Sequence, residues 1–215
     1  MNHTRIQVFM RHLLLVASLC SLQAQAQQYA SFDTSSQNLG NKVCATCHGA
    51  SGIGNPVVGA PALAGLESWY LKNQLLAFRN EYRGTQKEYV PGLEMQASVA
   101  RLSDEEIEEL VQIISTWEPV SHGDTLAGDT NRGSELYLGC AACHGAQGQG
   151  NQALGAPKLA GREDWYLLRQ LKLFKSGYRG SHPEDALGSQ MRTGASVLQN
   201  ENDMIAVVAF LNTLD

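Results

Sequence analysis

The chain has 215 residues, 43% of them apolar, and a formal charge of −5 at neutral pH. That length suits one large or two small domains, and the apolar share excludes a disordered polypeptide. The acidic balance argues against nucleic acid as a partner, because such binders carry basic patches.

The chain opens like an export signal. Arg5, Arg11 and His12 precede a short apolar run from Leu13 to Leu22, and Ala24-Gln25-Ala26 offers small residues at cleavage-site spacing. The expectation is a signal peptide over residues 1–26 that is removed on export to the periplasm. A retained anchor is the alternative, but the run is shorter than the roughly 20 residues of a spanning helix. A lipid-modified Cys20 is a third reading, disfavoured by the large Leu19 before it. Loss of Arg5 and Arg11 would leave a net charge of −7, with −5 on residues 27–121 and −2 on residues 122–215. This imbalance either orients the molecule on oppositely charged partners or is simply a solvated surface.

Residues 31–42 are polar and poor in helix formers, so the first helix is expected to be short. Cys44-Ala45-Thr46-Cys47-His48 follows at once. Pro61 stands in a Gly-Ala-Pro-Ala-Leu-Ala-Gly segment. From Trp69 to Tyr82, Leu71, Leu75, Leu76 and Phe78 recur near helical spacing. Met95 is placed in a loop, Pro91-Gly92-Leu93-Glu94-Met95, and Met191 in the matching loop Gly188-Ser189-Gln190-Met191. Ser103-Asp104-Glu105-Glu106 reads as a capping box, opening a helix through Ile107, Leu110, Val111 and Ile114. Glu118 to Asp124 carries Pro, Gly and Ser without apolar period and reads as a linker.

The second half repeats the first. With a shift of 96 residues, Cys44 falls on Cys140, Pro61 on Pro157, Trp69 on Trp165 and Met95 on Met191. Residues 59–84 and 155–180 match at 16 of 26 positions without a gap. A helix is expected from Asn131 to Gly139, another from Trp165 to Tyr178, and a last one from about Glu201 to Leu214. Strand alternation is absent, so the fold class is all-α, with domains at 27–121 and 122–215. The linker is short, so the domains must touch.

Each Cys-x-x-Cys-His reads as a site of covalent haem attachment, with Cys44 and Cys47, and Cys140 and Cys143, forming thioethers. His48 and His144 would be proximal iron ligands. Zinc would need four ligands per site, and a thioredoxin-like dithiol would need a βαβ pattern that is missing. Met95 and Met191, at matched offsets, are candidates for the sixth position. The bland alternative is core packing, which is the reading for Met204, on a helix at the place of Ile107. His182 has no parallel in the first half and reads as a surface histidine. The Pro61 and Pro157 carbonyls are placed to accept the proximal imidazole N–H, unless they merely stiffen a turn. Arg83 and Arg179 would pair with haem propionates or face solvent. Trp69, Tyr70, Trp165 and Tyr166 would pack the core or donate to propionates.

As a set, the two C-x-x-C-H-G motifs, the two G-A-P-x-L-A-G segments, the W-Y-L-x-x-Q-L-x-x-F helices, the Y-R-G turns and the paired methionines resemble the cytochrome c4 family of dihaem class I cytochromes c. The resemblance implies two tandem class I cytochrome c domains related by a pseudo-twofold axis, with propionates near their interface. It implies two covalently bound haem c groups, one ligated by His48 and Met95 and the other by His144 and Met191. It implies an electron carrier without substrate chemistry of its own. As a periplasmic shuttle it would link quinol-oxidising membrane cytochrome complexes to a terminal oxidase, touching the membrane peripherally at most. Competing readings are the dihaem subunit of a dehydrogenase or flavocytochrome, and a dihaem oxidoreductase enzyme.

Overall fold

A computed structural model describes residues 39–214; the export-signal reading and Cys20 lie outside them. A π-helical turn, Leu39–Cys44, runs into α1, Ala45–His48. The first half continues with α2 Ser68–Arg79, α3 Val90–Val99 and α4 Asp104–Ser115. The second half contains α5 Thr130–His144, α6 Asp164–Lys175, α7 Ala186–Ala195 and α8 Glu201–Leu211. Among the described residues there are two isolated β-bridges and no named strand, so the all-α expectation holds. No described helix is long and apolar enough to cross a membrane.

In both halves the N-terminal helical segment packs against the last helix, and the middle helices close the bundle. The second half shows the crossing clearly. Gly133 of α5 lies so close to α8 that a Cβ there would sit 2.0 Å from the carbonyl oxygen of Ala206. Only a residue without a side chain permits that approach. Across the same contact Tyr137 packs on Phe210, with ring centroids 5.4 Å apart. Its hydroxyl donates to the Gly145 carbonyl at 2.9 Å, one residue beyond His144. Burial pushes the Tyr137 phenol up to about 12, so it stays a neutral donor.

Each half has its own core. The first gathers Leu63, Leu71, Leu75, Phe78, Val99, Ile107, Val111 and Ile114, with Met95 packed against it. The second is built on Leu167, Leu171, Phe174, Leu198, Met204 and Val208, with Met191 and Cys140 at its edge. Met204 is 4% exposed, a core residue as expected. The Ser103 capping box is complete: the Glu106 N–H donates to Ser103 Oγ at 3.2 Å, and the Ser103 N–H to Glu106 Oε2 at 2.8 Å. α8 has its own cap, in which Asn200 accepts from the Asp203 N–H at 3.0 Å.

Two expectations are corrected. The methionine segments are helices, not loops: Met95 sits inside α3 and Met191 inside α7. Pro91 lies in the first turn of α3, where its missing N–H costs nothing. Asp185 caps α7 by accepting from the Gly188 N–H at 2.8 Å. The glycine and proline that suggested loops are therefore helix-start residues. The second correction is that α5 does not stop at Gly139 but continues through both cysteines to His144.

Residues 118–129 have no regular structure, as the linker reading expects. The domains meet along a seam that repeats itself. Arg83 donates to Gln74 at 2.5 Å within its own half and to Gln170 of the other at 3.3 Å. Arg179 donates to Gln170 at 2.7 Å and to Gln74 at 2.7 Å. The exchange runs both ways between residues 96 apart, the signature of a twofold relation between the halves.

Candidate functional site

Cysteines at i and i+3 and a histidine at i+4 fall on one face of a helix. The π-helical turn ending at Cys44 together with α1, and the end of α5, present the two motifs in this way. Gly49 and Gly145 then turn the chain away at φ 80 in both halves, a conformation that favours glycine. The backbone then folds back on each histidine's main chain: the Gly54 N–H donates to the His48 carbonyl at 2.7 Å, and the Gly150 N–H to that of His144 at 2.8 Å. None of the four motif cysteines is in a disulfide. Burial raises the Cys44 and Cys140 thiols, while Cys47 and Cys143 are exposed.

Both histidines are buried, and both are held by proline carbonyls. His48 Nδ1 lies 2.7 Å from the Pro61 oxygen and His144 Nδ1 lies 2.8 Å from the Pro157 oxygen. A carbonyl only accepts, so Nδ1 carries the proton and Nε2 keeps its lone pair. Burial lowers the pKa of both imidazoles, outweighing the carbonyl bonds, which raise it. The result is a neutral, oriented imidazole with its free nitrogen ready for a metal. The carbonyl role expected for Pro61 and Pro157 is what the structure shows.

The structure places Met95 and Met191 half-buried on α3 and α7, each packed on the core of its own half. Met191 and Cys140 edge the same core. Among the described residues no three His, Cys, Asp or Glu side chains converge on a metal-sized point. Tetrahedral zinc would need four such ligands.

Arg83 and Arg179 are 7% and 8% exposed, so the surface alternative for them is corrected. Their guanidinium groups lie over Phe78 and Phe174, at 4.2 Å and 4.4 Å from the ring centroids. Arg179 also reaches the Tyr70 hydroxyl at 3.4 Å. Burial and the nearby Arg179 charge lower the Arg83 pKa. Among the described residues neither arginine pairs with a carboxylate. Two buried cations with neutral partners call for anions from elsewhere, and a haem brings two propionates. With two cysteines per motif outside any disulfide and each imidazole turned to offer Nε2, the residues present fit two haems.

His182, expected on the surface, is half-exposed at the edge of the seam. It stacks on Tyr82 with centroids 4.5 Å apart, and the Tyr82 hydroxyl donates to Glu184 at 2.7 Å. The sequence reading missed Gln74, Gln170, Glu67, Glu163 and Asp164. A signal for the first four existed, since the glutamines and the glutamates recur at the shift of 96.

The cytochrome c family profile matches residues 35–117 and 130–215, covering both halves. A thiosulfate dehydrogenase electron acceptor of Stutzerimonas stutzeri (strain A1501) is 34% identical over 189 residues, 81% of this chain and 82% of that protein. Cytochrome c4 of Stutzerimonas stutzeri is 29% identical over 213 residues, 94% of this chain and 98% of that one. The crystal structure of reduced recombinant cytochrome c4 from Pseudomonas stutzeri superposes with a TM-score of 0.61 at 26% identity, over 83% of this chain and 96% of that chain. The two tandem class I domains and two Cys-x-x-Cys-His motifs go with two covalent haem c groups. The chain belongs to the cytochrome c4 family of dihaem c-type cytochromes.

Proposed function

We propose that this dihaem electron-transfer protein is a periplasmic carrier that moves single electrons between redox proteins through two His/Met-ligated haems. Its domains are 27–121 and 122–215, after removal of residues 1–26. Cys44, Cys47, Cys140 and Cys143 hold the haems as thioethers. His48 and Met95 ligate one iron, and His144 and Met191 the other. When bound, the haems supply reversible one-electron iron chemistry. The observation that carries the reading is the duplicated imidazole, held at 2.7 Å and 2.8 Å by proline carbonyls in halves sharing one seam. Each histidine is fixed in one tautomer, which keeps reorganisation on electron transfer small.

Two strong ligands per iron leave no position for substrate, which suits a carrier and not an enzyme. Quinol-oxidising membrane complexes and a terminal oxidase are the partners of the shuttle reading. A second reading is a dihaem acceptor dedicated to one dehydrogenase. It is supported by the relative that is a thiosulfate dehydrogenase electron acceptor.

An anaerobic redox titration with spectra of both oxidation states tests the proposal. The expected result is two one-electron steps, low-spin spectra and the signature of methionine ligation at both irons. Rapid carbon monoxide binding to the reduced protein at neutral pH would overturn the closed-site assignment. A stable complex with a dehydrogenase, purified from native cells, would favour the dedicated acceptor over the shuttle.

A further inference from the structure

The peptide group between Pro61 and Ala62 is held at both ends. Its carbonyl accepts from His48 Nδ1 at 2.7 Å. Its N–H, on Ala62, donates to Glu163 Oε2 at 2.6 Å, and Glu163 belongs to the other half of the molecule. The arrangement recurs in reverse. The carbonyl of the Pro157–Lys158 peptide accepts from His144 Nδ1 at 2.8 Å, and its N–H donates to Glu67 Oε2 at 3.0 Å. Each proximal histidine is thus joined, through a single peptide group, to a carboxylate of the opposite domain.

Peptide N–H and C=O are conjugated. A carboxylate on the N–H pushes electron density towards the oxygen, and hydrogen bonds in series polarise one another. The oxygen then accepts more strongly from the imidazole, and a more electron-rich imidazole is a stronger donor to iron. Stronger donation favours the ferric state and lowers the potential.

The two arms differ. Glu163 is 6% exposed and Glu67 is half-buried. The Glu163 bond is the shorter and is removed from water. Gly54 makes room for it: a Cβ there would lie 2.5 Å from Glu163 Oε1. An equally charged group is felt more strongly in a dry environment than in a wet one.

We propose that Glu163 and Glu67 are positioning residues that set the potential of the haem in the opposite domain, with Glu163 acting more strongly on the first haem. This rests on the reading of His48 and His144 as the proximal ligands. Neither domain then sets its own potential alone, and docking of the domains becomes part of the redox tuning.

The test uses the full-length dihaem protein at neutral pH. Potentiometric titration reads each haem, and the His Nδ1–H resonances are followed by NMR in the reduced, diamagnetic state. Glu163→Gln keeps the shape and an acceptor oxygen but removes the charge. It is expected to raise the potential of the first haem, move the His48 Nδ1–H upfield and leave the second haem near its wild-type value. Glu67→Gln is expected to raise the second haem by a smaller amount, and its half-exposed site makes it a variant that folds in any case. Unchanged potentials and Nδ1–H positions in both variants would overturn the proposal. So would equal shifts of both haems from Glu163→Gln, which a general charge effect would give. A wild-type protein without histidine-ligated, low-spin spectra would overturn the ligand reading itself, before any variant is compared.

Discussion

Asp164 grips Thr125 twice: its Oδ2 accepts from the Thr125 N–H at 2.5 Å and its Oδ1 from the Thr125 hydroxyl at 2.8 Å. The Leu126 N–H adds a third bond at 2.7 Å and the Trp165 N–H a fourth at 2.6 Å. The carboxylate at the start of α6 therefore pins the end of the interdomain connection. In the first half the same position is Ser68, so the clamp exists once.

This clamp predicts an acid-sensitive stability. Burial alone would raise the Asp164 carboxyl, but the bonds from Thr125, Leu126 and Trp165 together hold it below the usual carboxylate range. A folded-state value below the unfolded one means stability that is fully present above the unfolded pKa. It is lost as pH falls through the folded value. Asp164→Ala leaves the donors around it without their acceptor and is expected to cost about 1–3 kcal/mol near neutral pH. Urea titrations between pH 7 and pH 3 check this: the variant should show a flatter acid limb than wild type.

Two glycines of α5 predict opposite signs for the same substitution. Gly133→Ala drives a Cβ into the backbone of Ala206 and forces α8 away. A loss of about 1–3 kcal/mol is expected, as for other overpacked sites. At Gly139, exposed on α5, a Cβ meets no other protein atom within 4 Å. There alanine removes the helix penalty of glycine and is expected to stabilise by up to about 1 kcal/mol. Thermal melts of the two haem-loaded variants decide the matter, and equal effects would mean that the helix crossing is not as drawn.

Met95→His tests the proposal that Met95 is the distal ligand of the first iron. A second imidazole in place of a thioether favours the ferric state, so the potential of that haem should fall. The fall is expected to be a sizeable part of the roughly 0.8 V over which axial ligands set haem potentials. The haem should stay covalently attached, because Cys44 and Cys47 are untouched. A denaturing gel stained for haem and a redox titration read the two outcomes together.

Ile107→Ala probes whether the domains unfold together. Ile107 has no exposed surface and lies in the first core, so truncation is expected to remove about 2–5 kcal/mol there. The seam ties that loss to the second domain. Calorimetry should show one transition moving down, and a split into two, with only the lower one displaced, would mean the seam is weak.

Much of this architecture is legible in the sequence, because it rests on local chemistry. Cys-x-x-Cys-His, the Ser103 capping box and the helical spacing of Leu71, Leu75 and Phe78 each act within a few residues. The 96-residue echo then doubles every local reading. The helix around Met95 is not legible because Pro91 and Gly92 break helices in the interior, whereas Pro91 lies in the first turn of α3. The burial of Arg83 and Arg179 was hidden for a different reason. A repeat reports that two residues are equivalent, but not that they face each other. Tyr-Arg-Gly reads equally as a propionate partner or a solvent-facing turn until the other half is laid against it.

That facing has a consequence for how such a chain arises. Gln74 and Arg83 meet Gln170 and Arg179, so each half offers the same patch to its twin. Self-complementary patches are the defining property of isologous contacts in homodimers. A single-domain ancestor carrying this patch would have associated with its own copy. Gene fusion then replaces a concentration-dependent encounter with a tethered one, at an effective concentration on the order of millimolar for a short link. Once tethered, the copies are free to diverge at places such as Asp164 and Ser68 while the shared patch keeps them paired.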